Sequence, residues 1–260
     1  MSELRNVHLE SHRDGIRELV LNRPPVNALG HVLVADITAA CAVLAADREA
    51  RCVVVRSGGK HFCAGADLKE RQGMSEDEVR AFVPRLAGAV NALAGLPMPT
   101  IAAVRGVAAG GGCELALAAD MRLLADDARI GLKETALAIV PGAGGTQRLP
   151  RLIGPALAKR WIFAAGLYDA DQARADGVAD RVVAAEELDD AALAFAREIA
   201  ANGPVAVRLA KRAIDEGAAL PLEAALALEW ECYQQVLGTA DREEALRAFA
   251  GKRPPKFTGR

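Results

Sequence analysis

The chain has few of the side-chain patterns that bind metals or form disulfides. Of its four histidines, only His8 and His12 have the H-x-x-x-H spacing, in a segment, HLESH, that lacks the H-E-x-x-H motif, and none of its five cysteines belongs to a C-x-x-C pair. The number of cysteines is odd, and no secretory leader precedes them. We therefore expect reduced, mostly buried thiols and no metal site.

A strong excess of one charge and a long apolar run are also missing. The 260 residues include 32 lysines and arginines against 34 acids, a formal net charge of −2. This balance gives no sign of a nucleic-acid-binding surface, and no segment approaches the roughly 20 apolar residues that span a bilayer. The opening residues, MSELRNVHLESHRDG, do not resemble a signal or transit peptide. These observations predict a cytoplasmic protein with neither a membrane nor a nucleic acid as partner.

What the chain does contain is an alternation of β-branched runs, Gly-rich turns and Ala/Leu-rich segments over residues 1–195. This alternation predicts an α/β core. Residues 196–260 show only helical patterns before a basic, proline-broken tail, and so predict a separate helical region. Ser75 and Glu78 have the spacing of a capping box, which predicts a helix from there to about Leu93.

The segment GGGCELALAAD, residues 110–120, has the pattern of a Gly-rich turn that enters a helix. The first N–H groups of a helix have no partner within it, and the helix N-terminus carries a partial positive charge. Glycine lets a ligand approach this backbone closely. The segment could therefore bind a carbonyl oxygen that gains negative charge during a reaction. Alternatively, it is only a turn that lets a strand and a helix pack.

Two glutamates near this segment could carry acid–base chemistry. Glu114 falls in the first turn of the predicted helix, where the dipole favours a carboxylate without any catalytic role. Glu134 follows a predicted strand, and alone it would be a solvated loop acid. As a pair, two carboxyl groups in different environments can supply the base and the acid that add water to a conjugated double bond. The sequence does not show that they meet in space.

A second tight turn before a helix occurs in CAGADLKE, residues 63–70. Asp67 has the position of an N-cap for the following helix. The N–H groups of this turn, at Ala66 especially, could supply another donor to an oxyanion. Cys63 and Cys113 flank the two turns, and we interpret them as buried fillers because no histidine base is evident for either thiol.

The glycines of PGAGGTQR, Pro141 to Arg148, suggest a dinucleotide site at first sight. The G-x-G-x-x-G pattern fails because Gln147 occupies the third glycine position, and the chain has no Walker Gly-Lys-Ser/Thr. We interpret the segment as a structural loop that shapes the wall of a site.

In their order and mutual spacing, these segments resemble the crotonase (enoyl-CoA hydratase/isomerase) superfamily over nearly the whole chain. The matching segments are LNRPPVNAL, FCAGADLKE, PTIAAVRGVAAGGGCELALAAD, GLKETALAIVPGAGGTQRLPRLIG and KRPPKF. The stretch FCAGADLKERQGMSEDEV and the tail look most like the branch that contains methylglutaconyl-CoA hydratases.

The resemblance implies a spiral of strand–strand–helix units with a C-terminal helical region used for trimerisation, and assembly as a homotrimer or hexamer. It also implies an oxyanion hole formed by the N–H groups of Ala66 and Gly111, and an acyl-CoA thioester as substrate. Coenzyme A is then part of the substrate, and no separate cofactor is expected. The residues expected to contact the substrate and its CoA portion are Ala64, Ala66, Asp67, Leu68, Lys69 and Gly111.

Glu114 and Glu134 match the two glutamates of the hydratases in this superfamily. We therefore expect a hydro-lyase acting on a short-chain 2-enoyl-CoA, methylglutaconyl-CoA being one candidate, in fatty-acid or branched-chain amino-acid breakdown. Glu114 would orient and deprotonate the water that attacks C3, and Glu134 would deliver a proton to C2. The alternative is another crotonase-type reaction, such as double-bond isomerisation, at the same oxyanion hole.

Binding of AU-rich RNA is a remote alternative, which arises from the resemblance to an RNA-binding member of this branch. That relative is associated with a lysine-lined helix early in its chain. Here the corresponding residues 31–50 contain no lysine, and Arg48 is their only strong cation. Since RNA affinity depends on neutralising phosphates, we expect no salt-sensitive binding to such RNA.

Overall fold

The computed structural model describes residues 4–260, and within them the chain forms nine β-strands and eleven α-helices. The strands are β1 (Val7–Ser11), β2 (Ile16–Leu21), β3 (Cys52–Ser57), β4 (Thr100–Val104), β5 (Val107–Ala109), β6 (Met121–Ala125), β7 (Arg129–Gly131), β8 (Tyr168–Asp169) and β9 (Arg181–Val183). The helices are α1 (His31–Ala46), α2 (Leu68–Gln72), α3 (Glu76–Ala94), α4 (Gly111–Ala118), α5 (Gly145–Ile153), α6 (Pro155–Ala164), α7 (Ala170–Ala175), α8 (Leu188–Ala200), α9 (Pro204–Gly217), α10 (Leu222–Val236) and α11 (Ala240–Ala250). Two 3-10 turns cover Glu134–Leu137 and Ala185–Glu187.

The larger sheet has six strands in the order β1-β2-β3-β4-β6-β9. Only β1 pairs antiparallel, with β2, and the remaining neighbours are parallel. Strands of a parallel sheet that helices cover on both faces are apolar almost throughout. The buried run at Cys52–Val55 in β3 and the fully buried β4 fit that environment.

A smaller sheet has three strands in the order β5-β7-β8, with β5 parallel to β7 and β8 antiparallel to it. Isolated parallel bridges extend it, from Leu29 to Ala66 and from Cys63 to Ala108. Each turn of the chain thus gives one strand to the larger sheet, one extended segment to the smaller set, and then a helix. This is the strand–strand–helix order that the resemblance implied.

Helix α3 packs against α1, and α8 packs on β2, β3, β4 and β6 of the larger sheet. The boundary that we expected near residue 195 therefore falls inside α8, which belongs to the core. After Ala200 the chain is helical, and α9 and α10 pack against each other. Among residues 4–260, no helix is both long enough and apolar enough to cross a bilayer.

The local signals at the start of α3 behave as predicted. Ser75 accepts a hydrogen bond from the N–H of Glu78, and Glu78 accepts one from the N–H of Ser75, which completes the capping box. The sequence patterns did not separate the three-residue strand β5 from β4, which precedes it. Gly106 has a φ of 56°, a conformation that breaks the run and turns the chain from β4 into β5.

Candidate active site

Glu114 lies in the first turn of α4 and is 2 % exposed. Its Oε1 accepts hydrogen bonds from two main-chain N–H groups, Ala143 at 2.8 Å and Gly145 at 2.8 Å. Gly145 is the first residue of α5, so the positive end of that helix points at the carboxylate. The loop that we interpreted as a wall therefore holds one of the two predicted acids. The signal for this contact was the Gly144-Gly145 pair, which has the same pattern of glycines entering a helix as residues 110–112.

Glu134 opens the 3-10 turn after β7 and is 8 % exposed. Its carboxyl lies against the backbone of Gly110, since a Cβ built on Gly110 would come within 2.9 Å of Glu134 Oε1. Gly110 is the N-cap of α4, one turn before Glu114. The pairing of β5 with β7 brings the two segments together, with Ala109 opposite Gly131 and a 2.9 Å bond from Gly110 N to Gly131 O. The structure thus places both predicted acids at one end of α4.

Burial changes the protonation of both carboxyl groups. Burial raises the pKa of Glu114 above its ordinary value, while the N–H groups of Gly145 and Ala143 and the charge of Arg148 oppose that rise. Burial, followed by the negative charge of Glu114, raises the pKa of Glu134 to about 7. Glu134 Oε2 is buried and has no hydrogen-bond partner within residues 4–260. The unpaired oxygen favours the protonated acid, because a buried ionised carboxylate without donors is costly.

The two predicted oxyanion donors face the same place. A Cβ on Gly65, whose φ is 90°, would come within 3.3 Å of Gly111 N, and a Cβ on Gly111 would come within 3.8 Å of Ala66 N. Neighbouring main-chain N–H groups donate to acceptors within the fold. For example, Asp67 N donates to Leu29 O at 3.2 Å. In the described part of the chain, neither Ala66 N nor Gly111 N donates to a protein acceptor. Two converging free donors are the arrangement that stabilises an oxyanion.

Close backbone contact holds the two turns together. A Cβ on Gly112 would lie 2.0 Å from the carbonyl oxygen of Cys63, closer than atoms can approach. Only glycine fits there, so α4 starts directly on the turn that carries Ala66. Burial raises the pKa of the Cys63 thiol to about 12 and that of Cys113 well above its ordinary value. Both thiols therefore stay protonated, which agrees with their interpretation as fillers.

The turn from Ala64 to Lys69 is anchored from a residue that the sequence analysis missed. The carboxylate of Asp67 caps α2 through the N–H groups of Lys69 and Glu70, as predicted. It also pairs with Arg23, which reaches Asp67 Oδ2 at 2.7 Å and Glu70 Oε1 at 3.1 Å. The available signal was the location of Arg23 two positions after the buried strand β2. The predicted contact residues Ala64, Leu68 and Lys69 are exposed on this turn.

Three other features bear on the chemistry of the site: the cysteines, possible metal ligands and a nearby groove. All five cysteines are free and buried, as expected. The residues that the structure describes contain no group of three or more His, Cys, Asp or Glu side chains arranged to hold a metal ion. A groove of about 1250 Å³ lies between α9 and the end of α3, and Glu114 and Glu134 do not line it.

The chain is similar to known proteins in both sequence and structure. A sequence model described as enoyl-CoA hydratase/isomerase matches residues 11–260. Human enoyl-CoA hydratase domain-containing protein 2, mitochondrial, is 48% identical over 100% of this chain and 91% of its own. Mouse methylglutaconyl-CoA hydratase, mitochondrial, is 48% identical over 99% of this chain and 84% of its own. The crystal structure of an enoyl-CoA hydratase from Bacillus anthracis superposes with a TM-score of 0.96 at 41% identity, covering 98% of this chain and 100% of that one.

These relatives contradict the cytoplasmic location that we predicted. The human and mouse proteins are both named as mitochondrial, which points to mitochondria instead. The composition of a folded enzyme does not record its compartment, because targeting segments are separate and removable.

Proposed function

The chain belongs to the enoyl-CoA hydratase/isomerase family, and from that premise we propose that it adds water reversibly to the C2=C3 double bond of a short-chain 2-enoyl-CoA. The observation that carries the proposal is the meeting of two buried carboxyl groups beside two free main-chain donors. Glu114 and Glu134 lie at the start of α4, and the N–H of Gly111 opens the same helix. Acid, base and oxyanion stabilisation are thereby available at one place.

The thioester carbonyl binds with its oxygen between Ala66 N and Gly111 N. Polarisation of this carbonyl makes C3 electrophilic and stabilises the enolate-like charge that develops on the oxygen. The CoA portion follows the exposed turn from Ala64 to Lys69. The Asp67 carboxylate binds Arg23 and the amides of α2, and its N–H donates to Leu29 O, so this residue supports CoA binding by holding the turn in shape.

In the chemical step, the ionised carboxylate of Glu114 takes a proton from water as the water oxygen forms a bond to C3. The carboxyl group of Glu134 gives its proton to C2, where the electron pair of the former double bond forms the new C–H bond. One water is added across the bond, on one face. Return of a proton from Glu114 to Glu134 then restores the starting state.

The environments of the two acids support this division of roles. Glu114 accepts two N–H bonds, which favour its ionised form, and is therefore suited to act as a base. Glu134 has a pKa of about 7 and an unpaired oxygen, so it can hold a proton near neutral pH. A general acid works best with a pKa near the operating pH.

Double-bond isomerisation is the competing reaction, because it uses the same oxyanion hole. It needs proton removal and delivery at carbon but no positioned water. The presence of both acids favours hydration. The two reactions are separated by following the absorbance of the conjugated thioester and identifying the product.

The decisive experiment is a substrate panel of crotonyl-, tiglyl- and methylglutaconyl-CoA. Methylglutaconyl-CoA is included because the mouse relative is named as its hydratase. The proposal expects 3-hydroxyacyl-CoA from at least one thioester, with loss of conjugated absorbance. Isomerised product alone, or no turnover of any of the three, would contradict it.

We also propose that the chain assembles as a trimer or a hexamer through its C-terminal helices. Helix α10 exposes large apolar side chains at helical spacing, which a soluble monomer seldom does. These side chains and their exposed fractions are Leu222 75%, Leu226 53%, Trp230 57% and Tyr233 54%. The groove between α9 and α3 adds a second concave apolar surface for a neighbouring copy. Sedimentation equilibrium tests the assembly, and a monomer at micromolar concentration would contradict it.

A further inference from the structure

Arg148, on α5, links the loop that holds Glu114 to helix α3. Its Nη1 donates to the carbonyl of Ala143 at 2.9 Å, and its Nη2 donates to Asn91 Oδ1 on α3 at 2.7 Å. Among the hydrogen bonds of residues 4–260, no other side-chain donor reaches residues 141–145. The guanidinium therefore ties the loop to a helix of the core.

The guanidinium is fitted closely to this loop. Gly144 has a φ of 108°, and a Cβ there would come within 2.1 Å of Arg148 Nη1. Ala143 is therefore fixed on both sides, since its carbonyl accepts from Arg148 and its N–H donates to Glu114 Oε1. The charge of Arg148 also acts on Glu114. A shift of the guanidinium would move the loop and the two amides that aim the carboxylate.

We propose that Arg148 is a positioning residue, which orients the Glu114 carboxylate toward the reacting water through Ala143 without touching the substrate. The inference rests on the proposed function, since it names how one of the two acids is held. A misplacement of about 1 Å in a catalytic group can cost about 10²-fold in rate. Because binding of the thioester uses other atoms, the loss falls on kcat and leaves KM nearly unchanged.

The test replaces Arg148 by alanine and measures kcat and KM with a thioester that the wild-type protein hydrates. We expect kcat to fall about 10²-fold. A cavity of about 380 Å³, lined by Asn91, Ala143 and Gly144 among others, adjoins the Arg148 side chain. Free guanidinium ion can therefore enter the space that the variant leaves. Added at concentrations far below those that unfold proteins, it should restore part of kcat, whereas sodium ion should not.

Arg151→Ala is the matched control. Arg151 lines the same cavity one turn later on α5, but it bonds only to Gln147 within its own helix. We expect its kcat and KM to equal those of the wild type. Should Arg148→Ala not fold, Asn91→Ala removes the α3 anchor instead and should lower kcat several-fold at constant KM.

The outcomes separate this inference from the proposed function. A wild-type protein that hydrates no thioester defeats the proposed function itself. A wild-type protein that hydrates its substrate while Arg148→Ala, or Asn91→Ala in its place, keeps the same kcat overturns the positioning role alone. A rise in KM with kcat unchanged overturns it as well, because that result assigns Arg148 to substrate binding. A kcat loss with rescue by guanidinium supports it.

Discussion

Replacing Glu134 by glutamine should make the protein less active and, above neutral pH, more stable. Glutamine has nearly the same shape as a glutamic acid but cannot ionise or donate the proton. The rate of hydration should fall by about 10²–10⁴, which is the usual contribution of a general acid. In the wild type, kcat should decline as pH rises through about 7, because Glu134 then loses the proton that it must deliver.

The gain in stability follows from the pKa of Glu134, about 7 in the folded protein against 4.5 for an ordinary glutamate. Between these values the folded chain binds more protons than the unfolded chain, so the wild-type free energy of unfolding decreases as pH rises. At about 1.4 kcal/mol per pH unit, the whole effect is about 3 kcal/mol. The variant has no such carboxyl and should escape this loss.

Urea unfolding of both proteins, from about pH 4 to about pH 8, measures the effect. The stability of Glu134→Gln relative to wild type should increase by about 3 kcal/mol across this range and level off above about pH 7. Glu76→Gln is the control, since it makes the same change on a side chain that is 90% exposed. A difference for Glu134→Gln that stays constant with pH would refute the buried, proton-holding acid.

Three further changes test other parts of the site and the assembly. Gly111→Pro removes the N–H at a helix position that tolerates proline, and kcat should fall about 10²–10³-fold. Gly111→Ala is its control, since it adds a Cβ but keeps the N–H donor. An equal loss of kcat in both variants would assign the effect to crowding. Glu114→Gln should lower kcat about 10²–10⁴-fold while binding of a non-reacting acyl-CoA persists, and unchanged kcat would remove Glu114 from the base role. Placing glutamates at Leu226 and Trp230 should shift the sedimentation mass to that of a monomer, and an unchanged mass would place the interface elsewhere. In a filter assay, AU-rich RNA should show no steep salt-dependent affinity, and a sub-micromolar one would contradict the charge argument.

Local sequence signals predicted the parts of the site that short segments determine. The glycines before Glu114 indicated a helix start with free amides, and Asp67 and Ser75 were correctly placed as N-caps. These features depend on a few neighbouring residues, so they can be derived from sequence. The local patterns suggested free amides at both turns, and the resemblance to known enzymes then implied that Ala66 and Gly111 together form the oxyanion hole.

The sequence did not show how the two acids meet, because that depends on pairing between distant strands. Strand β5 has three residues and was not recognised, yet its register with β7 places Glu134 beside Gly110. The donors to Glu114 come from Ala143 and Gly145, about thirty positions away. Contacts of this kind follow from the spiral course of the chain, and propensity over a short window does not contain them.

Gly112 packs directly on the carbonyl oxygen of Cys63, and this contact limits which substitutions the protein can accept during evolution. Most amino-acid substitutions retain the main-chain N–H, whereas a single substitution removes a catalytic side chain. The amides at positions 66 and 111 are therefore insulated from most single replacements, and new chemistry can arise by exchanging the acids around them. Position 112 is the exception. Any residue larger than glycine there would push successive turns of the spiral apart and so move the amides at positions 66 and 111 away from each other.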